Sequence, residues 1–179
     1  MKSGAPLDNP NPLVQTVPHP NTVLSRARLE QELDEDIEDE FDSLEIFDMI
    51  RNINDPEHPL TLEQLNVVSS KLIKVDDRNG LIGVQFTPTI PHCSQAILIG
   101  LMIRVKLHRS LPERFKVDIK IEPGKHATED AINKQLNDKE RVAAALENEQ
   151  LLNIVNQGLR GSDRDIDTYR DLLLSMGLG

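Results

Sequence analysis

The clearest alternation in the chain runs from Arg114 to Glu122, where Phe115, Val117, Ile119 and Ile121 interleave with Lys116, Asp118, Lys120 and Glu122. A period of two puts one set on a core face and the other in water, so the segment is predicted to be a half-exposed strand, ended by Pro123-Gly124. Leu81 to Phe86 repeats the pattern, with Ile82, Val84 and Phe86 on one side. The Val- and Ile-rich stretch from Val67 to Asp76 precedes it. Between them Asp76-Asp77-Arg78-Asn79-Gly80 supplies a turn whose Asn-Gly pair tolerates positive φ, so a hairpin is expected. Elsewhere the spacing is helical. Leu44, Ile46, Phe47, Ile50 and Ile53 follow Ser43 as N-cap, and the helix ends near Asn54-Asp55-Pro56. Thr61 with Gln64 three residues later has the capping-box pattern of a second, short helix. Ser94 to Leu107 is too long and too uniformly apolar before Arg104 for a half-exposed strand, and reads as a central buried helix. From Thr128 to about Asn156 the chain reads as helical again, with Ala131, Ile132, Leu136, Val142, Ala145, Leu146, Leu151, Leu152 and Val155 available to cover the sheet.

These elements predict an α+β fold: a small three- to four-stranded sheet covered by helices, with a buried central helix after the segment that holds the single cysteine. Residues 1–42 are read as a disordered leader, Pro-rich at first and then acidic, because EQELDEDIEDEFD packs nine carboxylates between Glu30 and Asp42. The leader reads as a solubilising segment, with docking to a basic partner as the minority alternative. Residues 43–158 form the α/β body. Residues 159–179 are set apart as a tail, although Ile166, Tyr169, Leu173 and Met176 share a helical stripe, because Gly161-Ser162 is compatible with a cloning junction.

A net charge of −10 argues against a broad phosphate-binding surface and makes direct nucleic-acid binding a poor expectation. One cysteine cannot form an internal disulfide, so a reducing compartment is expected. No apolar run reaches the length of a membrane span, and no membrane partner is expected.

The chemistry, if any, centres on Thr89-Ile90-Pro91-His92-Cys93-Ser94. On residue type alone, a lone cysteine reads as a small core hydrophobe. At the mouth of a helix, however, unpartnered backbone N–H groups and the positive end of the dipole lower a thiol pKa, and the thiolate is both the nucleophile and the metal-binding form. Pro88 and Pro91 stiffen the loop, and His92 can help electrostatically when protonated. For a cysteine-dependent enzyme, His58, His92 and His126 with Asp55 or Glu57 are partners by type, but their spacing matches no hydrolase signature. One Cys with scattered His argues against structural zinc. Asp55-Pro56-Glu57-His58-Pro59 reads as a rigid turn whose Asp55 bonds backbone N–H groups downstream, with His58 and His126 as ordinary loop histidines.

Three segments, INDPEHPLTLEQLNVV (53–68), FTPTIPHCSQAILIGLMIRVKLHRSLP (86–112) and NKQLNDKERVAAALEN (133–148), closely resemble the eukaryotic Galla family, in which the body is a domain related to bacterial SufT and PaaD. The resemblance covers about residues 43–158 and is nearer the general-client branch. Its T-x-P-x-C pattern falls on Thr89, Pro91 and Cys93, and its Asp-Pro-Glu turn on Asp55, Pro56 and Glu57. The resemblance implies a non-enzymatic adaptor of the cytosolic iron-sulfur targeting complex, cytoplasmic and nuclear, acting for clients that include DNA-maintenance enzymes and hence chromosome segregation. It implies that Cys93 is a reactive thiol in the late transfer of a [4Fe-4S] cluster to apo-proteins. No cofactor is expected to be stably bound, and Cys93 is a metal ligand at most transiently, because one thiol cannot hold a four-iron cluster by the usual four thiolates. The implied partners are a WD40 propeller subunit, a HEAT-repeat scaffold and apo iron-sulfur clients, with a homodimer at the centre. A partner surface is expected on Asn133, Lys134, Lys139, Glu140 and Arg141, with Asp138 between them. The alternative readings are a pure scaffold with a structural cysteine and a cysteine-dependent enzyme.

Overall fold

A computed structural model of the chain describes residues 12–16, 40–89 and 95–162. Helix α1 (Ser43–Arg51) is followed by an irregular segment and a short 3-10 turn (Ser70–Leu72), then β1 (Ile73–Asp76) and β2 (Leu81–Phe86). Helix α2 (Ala96–Ser110) leads to β3 (Lys116–Ile121), and α3 (Glu129–Asn137), α4 (Lys139–Glu147) and α5 (Glu149–Leu159) complete the order. The three strands lie in the order β1-β2-β3, with β1 antiparallel and β3 parallel to β2. The fold is α+β, as the sequence predicts.

The hairpin forms in the predicted register, Ile73 opposite Val84 and Asp76 opposite Leu81. Its turn depends on Gly80, whose φ of 63° suits a residue without Cβ. A Cβ there would also meet the Arg114 carbonyl oxygen at 2.6 Å. The Gly80 carbonyl accepts from Lys116 N at 2.7 Å, so this turn sets the start of β3. Gly80→Ala is expected to cost roughly 2–3 kcal/mol, from positive φ and a backbone collision together, read as a lower urea midpoint at unchanged slope.

Five findings refine the predicted elements. The α1 cap is Asp42 and not Ser43: Asp42 Oδ1 accepts from Leu44 N and Glu45 N, while Glu45 Oε2 accepts from Asp42 N, a complete capping box inside the acidic run. The Thr61/Gln64 box is formed by side chain and backbone, but it closes a single turn, not a helix, because Asn66 at φ 55° reverses the chain. Val67 and Val68 are buried without belonging to a strand, so β1 starts only at Ile73. The buried helix begins at Ala96 and continues past Leu107 to Ser110. The expected continuous helix after Thr128 is three helices, because Asp138 and Asn148 leave helical backbone and each accepts two N–H bonds as the N-cap of the next.

Helix α2 occupies the centre. Ile99, Leu101, Met102, Ile103 and Leu107 are shielded from water, and α1, α3, α5 and β3 pack around it. Gly100 leaves room for Leu136 of α3, and Gly158 of α5 leaves room for Met102. Leu159 and Ser162 are buried and Ser162 Oγ donates to the Leu159 carbonyl, so packing continues beyond residue 158 through the Gly161-Ser162 pair. The expected leader lies largely outside the described residues, as does the apolar stripe at Ile166, Tyr169, Leu173 and Met176. Among the described residues, no helix is long and apolar enough to cross a membrane.

Phe41 joins the body at the other end: its ring packs edge-on against Phe115 at 5.1 Å and its N–H donates to Asp77 Oδ1. Arg114 donates to Asp77 through both terminal nitrogens, one to the carboxylate at 2.8 Å and one to the backbone carbonyl. The Arg114 hydrogen bond, aided by the Phe41 N–H, holds the Asp77 carboxyl below its ordinary range. A depressed carboxylate contributes stability above its unfolded pKa, and that contribution is lost as the pH falls through the folded value. Arg114→Ala is therefore expected to lower stability at pH 7, and the difference from the parent chain to shrink only as the pH falls below about 4, the ordinary carboxylate value, through the lower folded value, as read by thermal unfolding across pH.

Candidate functional site

The first helix ends with Arg51 almost fully buried. Its guanidinium makes a two-pronged bond to Glu63, Nε to Oε2 at 2.7 Å and NH2 to Oε1 at 2.9 Å, and a third bond to Asp48 at 2.9 Å. Burial opposes its charge, but the bonds to Glu63 and Asp48 outweigh that and raise the guanidinium pKa further. This clamp closes the loop between α1 and the Thr61–Asn66 turn. At the neck of that loop Leu62 N donates to the Ile53 carbonyl, Asn54 bridges to Thr61, and Asp55 N donates to the Leu60 carbonyl.

Asp55 is buried inside the loop and organises it. Its Oδ1 accepts from Glu57 N at 2.8 Å and His58 N at 2.9 Å, the bonding expected of a rigid Asp-Pro turn, and lies 3.2 Å from His58 Nδ1. His58 is buried, at 5% exposure, and so is not an ordinary loop histidine. Pro56 and Glu57 are half-buried. The turn rests on α5, with Asn54 N donating to the Gly158 carbonyl at 3.0 Å.

The second element is the exit from β2. Thr87 N donates to the Val67 carbonyl, Thr87 Oγ1 donates to Glu122 Oε2, and Pro88 is buried, so the chain leaves the sheet pinned on both sides. Thr89 is half-buried. Pro91, His92 and Cys93 lie outside the described residues. The description resumes at Gln95, whose backbone begins α2 and whose side chain does not cap it. Among the described residues, no group of three or more His, Cys, Asp or Glu could hold a metal ion.

The residues expected on a partner surface divide. Asn133 is half-buried and its Oδ1 accepts from Ile121 N at 2.8 Å; one turn on, Asn137 accepts from Ile119 N and donates to the Ile119 carbonyl. Arg104 donates to the Val117 carbonyl and to Asn137 Oδ1, and burial lowers its pKa. Two asparagines four apart on α3 thus match alternate residues of the outer edge of β3. Asn137 escapes sequence reading because nothing in a polar helix face announces a strand edge beneath it, and Arg104 because it reads only as the charge that ends the apolar run of α2. Lys134, Lys139, Glu140 and Arg141 are exposed, while Asp138 caps α4 and pairs with Arg141 at 3.4 Å.

The sequence places these residues in a class: the model of a family described as iron-sulfur cluster assembly protein matches residues 44–121, from α1 through β3. Cytosolic iron-sulfur assembly component 2B from Mus musculus is 58% identical over 156 residues, 87% of this chain and 93% of the mouse protein. MIP18 family protein galla-2 from Drosophila melanogaster is 58% identical over 151 residues, 84% of this chain and 94% of the fly protein. Protein AE7 from Arabidopsis thaliana is 64% identical over 118 residues, 66% and 75% of the two chains. The chain belongs to the MIP18 family.

Proposed function

We propose that this protein is a component of cytosolic iron-sulfur assembly that acts as an adaptor, not as an enzyme, and that its Cys93 thiol takes part when a [4Fe-4S] cluster passes to an apo-protein. The observation that carries the reading is identity of 58% across more than nine tenths of a protein named as a cytosolic iron-sulfur assembly component. Its place in the sequence supports the cysteine's part. Cys93 stands three residues before Ala96, where a 15-residue helix begins, and helix N-termini stabilise a thiolate. The Thr87–Glu122 bond and buried Pro88 fix the strand that leads to it.

One sulfur per chain leaves three ligand positions of a four-iron cluster to be filled by a second copy, a carrier or the client, so the cluster is cargo and not a resident cofactor. The proposed partners are a propeller subunit, a helical-repeat scaffold and apo-clients, with two copies of this chain at the centre, in cytoplasm and nucleus. Iron and sulfide quantification on anaerobically purified protein, alone and with carrier and client, tests the cargo reading. Iron that stays with the chain alone at a full cluster per protomer contradicts it.

The exposed charges of α4 are the proposed contact for the other subunits. Lys139→Glu with Arg141→Glu is expected to reduce co-purification with them by about tenfold or more, since two like-charge contacts at an interface cost more than 1.4 kcal/mol together. Unchanged co-purification contradicts this surface.

A further inference from the structure

Among the described residues, the helices cover one face of the sheet and leave the other open. On the open face Lys74, Gly83 and Asp118 stand in one row across the strands, and Asp76, Leu81 and Lys116 in the next. Lys120 follows on β3, and Lys71 stands at the rim on the 3-10 turn. Both acids on this face are engaged: Asp118 pairs with Lys120 at 2.6 Å, and Asp76 accepts from Asn79 Nδ2 at 2.8 Å. Lys71, Lys74 and Lys116 have no ion-pair partner among the described residues. A cationic face stands out in a chain of net charge −10.

The middle of this face is a trough of about 180 Å³ lined by Lys71, Lys74, Gly83, Gln85, Asp118 and Lys120, among others. Gly83 makes it. Its φ is not positive, and an added Cβ would meet nothing closer than the Lys74 carbonyl oxygen at 4.0 Å, so the body alone does not demand glycine there. Glycine inside a strand weakens it, and marks places where a ligand or another backbone comes close.

The chain carries a matching acidic segment, whose C-terminal end is fastened at the turn end of the sheet. Between Glu30 and Glu40 there are eight carboxylates. Glu40 stands 3.8 Å from Arg78 in the β1–β2 turn, and Phe41 is fastened to Asp77 and Phe115 beside it. At the opposite end, Gln15 N donates to the Gln64 carbonyl, and Val67, three residues on, holds Thr87 just past β2. The six residues of β2 span about 20 Å, whereas ten residues of extended chain reach about 33 Å. The acidic run is therefore long enough to lie along the face from the turn end.

We propose that the open face of the sheet is the docking site for the chain's own acidic run, Glu30 to Glu40, seated on Lys71, Lys74 and Lys116 with its backbone over Gly83. Single exposed ion pairs are weak. Several together, on a segment tethered at Phe41, act at millimolar effective concentration and need no high intrinsic affinity. An acidic partner that uses this face has to displace the run first. The inference is independent of any role for Cys93.

The test is a nitroxide at Leu33→Cys in the full chain carrying Cys93→Ser, with amide NMR of the same molecule. At low salt the amide signals of Lys74, Gly83 and Asp118 are expected to lose intensity while those of α4 keep it. The signals should return at about 1 M salt, where the screening length is about 3 Å, and in Lys71→Glu, Lys74→Glu, Lys116→Glu, whose folding is checked by core amide shifts. If the triple variant does not fold, the salt titration of the parent decides. Loss that ignores salt, that is no greater over the sheet than over α4, or that arises only between spin-labelled and isotope-labelled copies overturns the proposal.

Discussion

Cys93→Ser is expected to leave the protein folded and assembled with its partner subunits while abolishing maturation of client iron-sulfur enzymes. Serine is nearly isosteric with cysteine, but its hydroxyl does not ionise near neutral pH and does not ligate iron as thiolate does. A structural cysteine would give the opposite pattern, with small stability loss and retained client activity. The measurement is client iron content and activity in cells or extracts depleted of the parent chain, beside co-purification of the partners. Alkylation of the parent protein adds a second readout: a thiolate at a helix mouth reacts with iodoacetamide well below pH 8.5, the ordinary thiol value. A Cys93 that stays inert in the folded chain, or a Cys93→Ser chain that matures its clients normally, leaves only the scaffold reading.

The second large effect lies away from the sulfur. Glu63→Ala removes the two-pronged partner of Arg51 and leaves a guanidinium of 6% exposure with Asp48 and the Phe47 ring as its remaining partners. Losing one member of a buried pair costs about 3 kcal/mol or more, because the other charge stays desolvated. For a body of this size that is on the order of 10 °C in Tm. Arg51→Met with Glu63→Leu, which removes both charges, is expected to recover most of the loss by calorimetry. The consequence reaches the site, since the clamp closes the loop in which Asp55 is held. Glu63→Ala is expected to weaken client maturation more than an equally destabilising truncation of the buried core residue Ile119 on β3.

Much of this body was legible in the chain. The alternation of Phe115 to Ile121 and of Ile82 to Phe86 has one physical cause, a sheet wet on one side only, and it gave the strands and the core residues together. The apolar run before Arg104 likewise gave the central helix. The failures share another cause. Asp138 and Asn148 read as polar positions on a helix surface, and only backbone geometry shows that each ends one helix and starts another. Val67 and Val68 look like strand residues because burial selects them, although their neighbours are a turn and the exit of β2. In the site, the Asp55 turn followed from its prolines, but the burial of His58 did not, since a histidine between Glu57 and Pro59 belongs to no periodic face. Arg51 and Glu63 are 12 residues apart and carry no local signal of pairing.

The asparagines on α3 also bear on what the protein avoids. An outermost strand with free backbone groups recruits other chains into growing fibrils. Here Asn133, Asn137 and Arg104 take up hydrogen bonds that a fourth strand would have made along β3. The margin of the sheet is thus kept from becoming a seed for amyloid-like stacking.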